Sequence, residues 1–114
     1  MHSIQENDVA TVDLADYLTG DETALMGRED GDMLQAMLQA DGIRFDEMEM
    51  DTDGVTIYVP DHIVNINPAY LQAVWGPRMA ALGPTSFHDL YSFQAIPSVQ
   101  RKVSAWIASQ SFPV

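Results

Sequence analysis

Apolar and polar positions alternate in some stretches of this chain and recur at three- and four-residue intervals in others. Val9–Leu14 (VATVDL) alternates, the period that marks a half-buried strand. Asp16–Arg28 is polar and carries Gly20 and Gly27, so it reads as a loop. Across Glu29–Ala40, Met33, Leu34, Met37 and Leu38 fall on one helical stripe. Glu29, Asp30 and Asp32 stand at its start, where carboxylates oppose the positive end of the helix dipole, and Gly42 suits a C-terminal cap. Gly31 works against this helix, because glycine is entropically costly in a helix interior. Phe45–Asp51 (FDEMEMD) puts Met48 and Met50 on one face and Glu47, Glu49 and Asp51 on the other, as in a strand. Thr52-Asp53-Gly54 then offers a tight turn into Val55–Val59, which predicts a hairpin of an exposed acidic edge strand and an interior one.

The second half opens with the most informative segment, Val55–Gly76: a buried strand, a short loop, and a helix entered at Asn67-Pro68. Asn accepts a hydrogen bond from a free N–H at a helix start, and Pro fits the first turn, where its missing N–H is no loss. Tyr70, Leu71, Val74, Trp75, Met79 and Leu82 give Pro68–Leu82 one buried face, with a kink or break expected at Gly76-Pro77 and an end at Gly83-Pro84. Phe87–Phe93 (FHDLYSF) reads as a strand with Leu90 and Phe93 as the candidate inward residues. Pro97–Ser109 carries Val99, Val103, Trp106 and Ile107 on one stripe and predicts an amphipathic terminal helix. The resulting order is β-α-β-β-α-β-α: an α/β fold with a small mixed β-sheet packed with about three helices, in a single domain spanning residues 1–114.

Composition narrows the class of function. A chain of 114 residues with 46% hydrophobic content can bury a core of its own. There is no cysteine, so disulfides and thiolate metal sites are excluded. No signal peptide is evident in MHSIQENDVA, and no apolar run approaches the ~20 residues of a membrane span. A cytoplasmic protein is the expectation. The net charge of -12 is lopsided: residues 1–53 hold 15 acids against Arg28 and Arg44, whereas residues 54–114 hold Asp61 and Asp89 against Arg78, Arg101 and Lys102. Such a surface repels nucleic acid and anionic membranes and attracts a basic partner. The same charge also serves solubility.

Candidate chemistry is sparse. His62 follows Asp61 and His88 precedes Asp89, so a metal or hydrolytic centre would need those histidines and one carboxylate to converge. Ser86 lies near His88, but no nucleophile elbow surrounds it. Gly27–Gly31 opens a helix with Arg28, yet Glu29, Asp30 and Asp32 would repel a phosphate there. No catalytic, cofactor-binding or metal-binding set stands out, and a non-enzymatic role is expected.

Three segments resemble the STAS-like domain family, small bacterial and phage-borne domains similar to anti-sigma-factor antagonists. They are Gly27-Arg28-Glu29-Asp30-Gly31 before a patterned helix, Ile66-Asn67-Pro68-Ala69-Tyr70-Leu71 running to Trp75-Gly76, and Leu82-Gly83 before a strand and terminal helix. The resemblance implies a regulatory module that binds a protein partner, often a kinase-like ATP-binding regulator, through the loop and helix after the central strand. Phosphorylated members carry Ser or Thr at that helix start; Asn67, Pro68 and Ala69 occupy it here, and Tyr58 stands where an acid is often found. On this reading the loop Asp61–Asn67 and the following turn form the contact surface: Asn67 caps the helix, Asn65, Tyr70 and His62 touch the partner, and Glu47, Glu49 and Asp51 steer a basic one, such as a nucleic-acid-binding protein. The acidic edge strand leaves a homodimer open as well. The alternative function is an acidic inhibitor of phage or mobile-element origin, an anti-CRISPR or other anti-defence protein that presents carboxylates in place of phosphates.

Overall fold

The computed structural model describes residues 9–110. In chain order its elements are β1 (Ala10–Asp13), β2 (Ala24–Leu25), α1 (Arg28–Ala40), α2 (Phe45–Asp51), β3 (Val55–Tyr58), β4 (Asn65–Ile66), α3 (Pro68–Leu82), α4 (Pro84–Leu90), β5 (Tyr91–Gln94) and α5 (Pro97–Ser109), with a 3-10 turn at Leu14–Tyr17. None of these helices is long and apolar enough to cross a membrane.

Three strands form the main sheet in the order β1-β3-β5, and every pairing is parallel. Val55 lies opposite Ala10 and Tyr91, and Tyr58 opposite Asp13 and Gln94. Both crossovers step the same way across the sheet. Right-handed connections of that kind put their helices on one side. Val12, Val55, Ile57, Tyr91 and Phe93 accordingly point into the core. The intervening residues face out: Thr11, Thr56 and Ser92 form one cross-strand row, and Asp13, Tyr58 and Gln94 the next. All of these are exposed except Thr56, which is half-buried. Parallel sheets are usually covered on both faces; among the described residues this one is covered on one.

α3 is the central helix of the covered side. Its Trp75 meets Phe93 edge-on at 5.1 Å and lies 6.0 Å from Phe45 of α2. Phe87 of α4 stacks on Tyr91 at 4.4 Å and meets Trp106 of α5 edge-on at 5.8 Å. α1 runs along α3, and the contact explains the glycine in α1. A Cβ on Gly31 would stand 2.7 Å from the Cβ of Ala73 and 2.9 Å from the Tyr70 carbonyl oxygen. Backbone approach thus outweighs the helix-propensity cost. At Gly76 the neighbour is instead a movable side chain of the same helix: Gln72 folds across the glycine and accepts a hydrogen bond from the Trp106 indole N–H at 3.2 Å.

Several sequence expectations hold. Strands cover most of Val9–Leu14 and Val55–Val59, α1 and α5 match their stripes, and Asn67 opens α3 with Pro68 in the first turn. Others are corrected. Phe45–Asp51 is a helix, so there is no hairpin and no acidic edge strand, and the route to a homodimer through that strand falls with it. Over seven residues strand and helix spacings are hard to tell apart, and strong helix formers with Asp46 and Glu47 in the first turn favour the helix. Pro84 starts α4 rather than merely ending α3, so the strand in Phe87–Phe93 begins only at Tyr91. Gly76-Pro77 does not split α3. The sheets are parallel, not mixed, and there are five helices rather than about three among the described residues.

Candidate functional site

Loops that leave the carboxyl ends of parallel strands are where α/β folds gather their binding residues. Here the loops after β1 and β3 are stitched together at that end. β2 pairs with β4, the Val64 N–H donates to the Thr23 carbonyl at 2.8 Å, and the Asn67 N–H donates to the Leu25 carbonyl at 2.8 Å. Asn67 caps α3 as expected, its Oδ1 accepting from the Ala69 N–H at 2.8 Å. Asn65 is half-buried in β4, and its Oδ1 accepts from the Ile66 N–H at 3.0 Å, so it shapes the loop instead of reaching outward. His62 is exposed, and Val64 beside it is 53% exposed. Tyr70 is 1% exposed and belongs to the core, which removes it from the expected contact surface.

The acidic residues assigned to the same surface lie elsewhere. Glu49 reaches Tyr91, whose partner Val55 begins β3, so α2 stands at the amino end of the sheet. The loop Asp61–Asn67 follows the carboxyl end. Glu47, Glu49 and Asp51 therefore do not join His62 and Asn65 in one patch. Glu49 also differs from its neighbours: its side chain is 5% exposed, it takes Arg78 Nε at 2.9 Å and Nη2 at 2.5 Å, and it accepts the Tyr91 hydroxyl at 2.5 Å. Burial and this carboxylate push the Tyr91 hydroxyl upward, and the hydrogen bond to Glu49 raises Arg78. Glu49 is thus a structural anion. Glu47 is exposed and 3.7 Å from Arg44, and Asp51 is exposed.

A cavity of about 470 Å³ lies between α1, α2 and α3, with Arg44 and Arg78 in its wall. Both guanidinium groups already face carboxylates, Arg44 with Asp46 and Glu47, and Arg78 with Glu49. The cavity therefore offers no free positive charge to an anion. His62 and His88 do not converge either, since His62 follows the carboxyl end of β3 and His88 sits on α4 ahead of the amino end of β5. Among the described residues no three His, Asp or Glu side chains come together in a way that could hold a metal ion.

A different surface was not foreseen. Along α1, Leu34 and Leu38 are buried while Met33 and Met37 flank them in the open, Met33 at 62% exposure. Met33, Leu34 and Met37, with Leu18, Leu25 and Tyr70, line a groove of about 300 Å³ between α1 and the segment that follows β1. Glu22 and Asp30 also line it, and no basic residue does. The groove is held in shape by two polar devices. The Tyr17 hydroxyl donates to Asp41 Oδ2 at 2.7 Å, fastening the 3-10 turn to the end of α1, and that bond pushes the phenol up to about 12. Glu22 accepts from the N–H groups of Thr19 and Gly20, each at 3.0 Å, and these bonds hold its carboxyl down at about 2. The sequence carried one signal of this surface: four apolar residues at 33, 34, 37 and 38 make a stripe wider than one buried face requires.

No protein-family model matches this chain, and no curated protein or solved structure is found to be similar to it.

Proposed function

We propose that this domain is a regulatory protein-interaction module of STAS-like type, with no reaction of its own, which meets its partner at the carboxyl end of the parallel sheet. The observation that supports this most is a set of exposed residues between β3 and the capped start of α3: Tyr58, the last residue of β3, then Asp61, His62 and Val64, with Val59, Ile63 and Ile66 anchoring the stretch in the core. An exposed aromatic and an exposed aliphatic residue, on a backbone tied down by the β2–β4 pairing, make a preorganised contact surface. Asn65 and Asn67 hold the loop, while Tyr58, His62 and Val64 make the contacts. Phosphorylation at the helix start is no part of the proposal, because Asn67, Pro68 and Ala69 offer no hydroxyl.

The test is affinity capture from the native host with mass spectrometry, comparing the wild type with Val64→Glu and with His62→Ala. Both positions are exposed, so circular dichroism is expected to stay the same. A partner retained by the wild type and lost with Val64→Glu supports the reading. Equal recovery by all three proteins overturns it. Recovery that collapses equally in all three as salt rises points instead to the acidic-inhibitor alternative, in which spread carboxylates rather than the loop make the contact.

A further inference from the structure

We infer that the groove between α1 and the segment after β1 is a docking site for a basic amphipathic helix of another protein. This surface is separate from the loop after β3, and its test stands apart from that of the function proposed above.

The occupant follows from the chemistry of the walls. The floor is apolar, and Met33 and Met37 stand open on the α1 side, with Met26 exposed just before that helix. Methionine side chains are unbranched and polarisable, so they mould to varied apolar anchors. A volume of about 300 Å³ takes one or two large aliphatic or aromatic side chains. Tyr70 lines the groove as well and is 1% exposed, so it adds to the apolar floor.

Charge selects among apolar ligands. Residues 14–41 hold seven acids and a single base, Arg28. Arg28 lies on the other side of α1, where it lines a separate depression with Asp32 and is 4.0 Å from that carboxylate. Glu22 stays ionised through its two backbone hydrogen bonds, and Asp30 lies exposed on the rim. An apolar slot bordered by uncompensated carboxylates favours a segment whose apolar anchors are flanked by Lys or Arg, and it rejects an acidic one. A second copy of this chain fits poorly, because it would bring the same negative rim to the contact.

The experiment uses the full chain labelled with ¹³C at the methionine methyls. The probe is a synthetic peptide of roughly 15 residues, long enough for a marginal helix, with Leu at helical spacing and Lys elsewhere. Its controls are the same pattern with Glu replacing Lys, and the Leu/Lys composition scrambled. Met50 is the internal reference, since it is 85% exposed, flanked by acids, and sits on α2 at the amino end of the sheet. The expected result is saturable movement of the Met33 and Met37 methyls with the patterned basic peptide, little movement of Met50, and no response to the Glu peptide. Met33→Gln with Met37→Gln is expected to weaken binding about tenfold or more through lost apolar contact. Asp30→Asn is expected to weaken it by a few-fold, and less so at high salt. The inference is overturned if Met50 moves as far as Met33, if the scrambled peptide binds equally well, or if the double variant binds unchanged. It is also overturned if the groove methyls move with protein concentration alone, which would make the surface a contact between copies of this chain.

Discussion

The two faces of the main sheet are made from the same strands and have opposite fates. On one, Val12, Val55, Ile57, Tyr91 and Phe93 lie under α3 and its neighbours, with Trp75 seated on Phe93 at 5.1 Å. On the other, rows of Thr11, Thr56 and Ser92 and of Asp13, Tyr58 and Gln94 face solvent. The difference comes from connectivity. Successive crossovers of one hand spend all their helices on one side. Selection for burial then acts on alternate residues only, and the free positions carry hydroxyls, one carboxylate, one amide and one aromatic ring. Substitutions on the covered face are therefore expected to act on stability, and those on the bare face on recognition.

The largest effect is expected at Trp75. Truncation to Ala removes the ring that Phe45 and Phe93 pack against, and losses of about 3–5 kcal/mol are usual for a buried aromatic of this size. Trp75→Phe sharpens the point. The Trp75 indole N–H is buried with no hydrogen-bond partner among the described residues, so the indole carries a desolvation cost that phenylalanine does not. The Phe variant is expected to lose about 2 kcal/mol or less, because the cavity left by the smaller ring is partly offset by removal of that donor. Urea denaturation of the two variants checks the order. Equal losses would show that the indole N–H is not a liability.

Glu49→Gln comes next. It removes the charge that pairs with Arg78 and accepts from Tyr91 while keeping the volume. Breaking a fully buried pair costs about 3–5 kcal/mol, but the Arg78 side chain is 27% exposed and can turn to water, so about 2–3 kcal/mol is expected. A double-mutant cycle with Arg78→Gln separates pairing from packing: the double variant is expected to lose less than the sum of the two singles. Strict additivity would contradict the coupling.

Smaller effects are expected from the ionisable groups that hold the groove. Tyr17 gives up its proton near 10.0 when unfolded and at about 12 when folded. The folded state thus keeps a proton that the unfolded chain releases, so this contribution is complete below 10.0 and disappears as pH rises through about 12. Burial raises Tyr70 and Tyr91 too, so all three steepen the alkaline edge. At the acid edge Glu22 acts in the opposite sense: its contribution, present above 4.5, is lost as pH falls to about 2. Tyr17→Phe is expected to cost about 0.5–1 kcal/mol at neutral pH for one partly exposed hydrogen bond, and to flatten the decline between 10.0 and about 12. Thermal denaturation across the alkaline range checks both parts.

The parts of the fold legible in the sequence were those where one signal stood alone. Asn67-Pro68 named the start of α3, and the stripe of Val99, Val103, Trp106 and Ile107 named α5, because nothing competed with them. Phe45–Asp51 supports two readings, because Met48 and Met50 alternate with acids as in a strand while Phe45, Met48 and Glu49 fall at the i, i+3, i+4 spacing of a helix, and the buried Glu49 carries no mark that separates it from the exposed Glu47. Gly31 was read as a flaw because the helix it touches, α3, lies far along the chain. The candidate site was legible only in part for the same reason: which of two acids or two methionines faces water depends on elements that local pattern does not locate. The alternation in Val55–Val59 carries more than the existence of a strand. Thr56 and Tyr58 between buried apolar residues signal a strand covered on one face only.

That alternation sets the smallest expected change in stability, at Tyr58. Its ring lies on the bare face at the carboxyl end of β3, between Asp13 and Gln94, and it is 45% exposed. Replacement by Ser removes apolar area that water already reaches and leaves the backbone pairing intact, so the unfolding midpoint is expected to correspond to a change within about 0.5 kcal/mol. The position is central in its row, so the same variant removes the largest side chain a partner at the carboxyl end of the sheet would meet. Stability that holds while partner capture falls would separate the two faces in one protein. A loss near that of Glu49→Gln would mean that something in the chain already covers this face, and the contrast between the two sides of the sheet would fail.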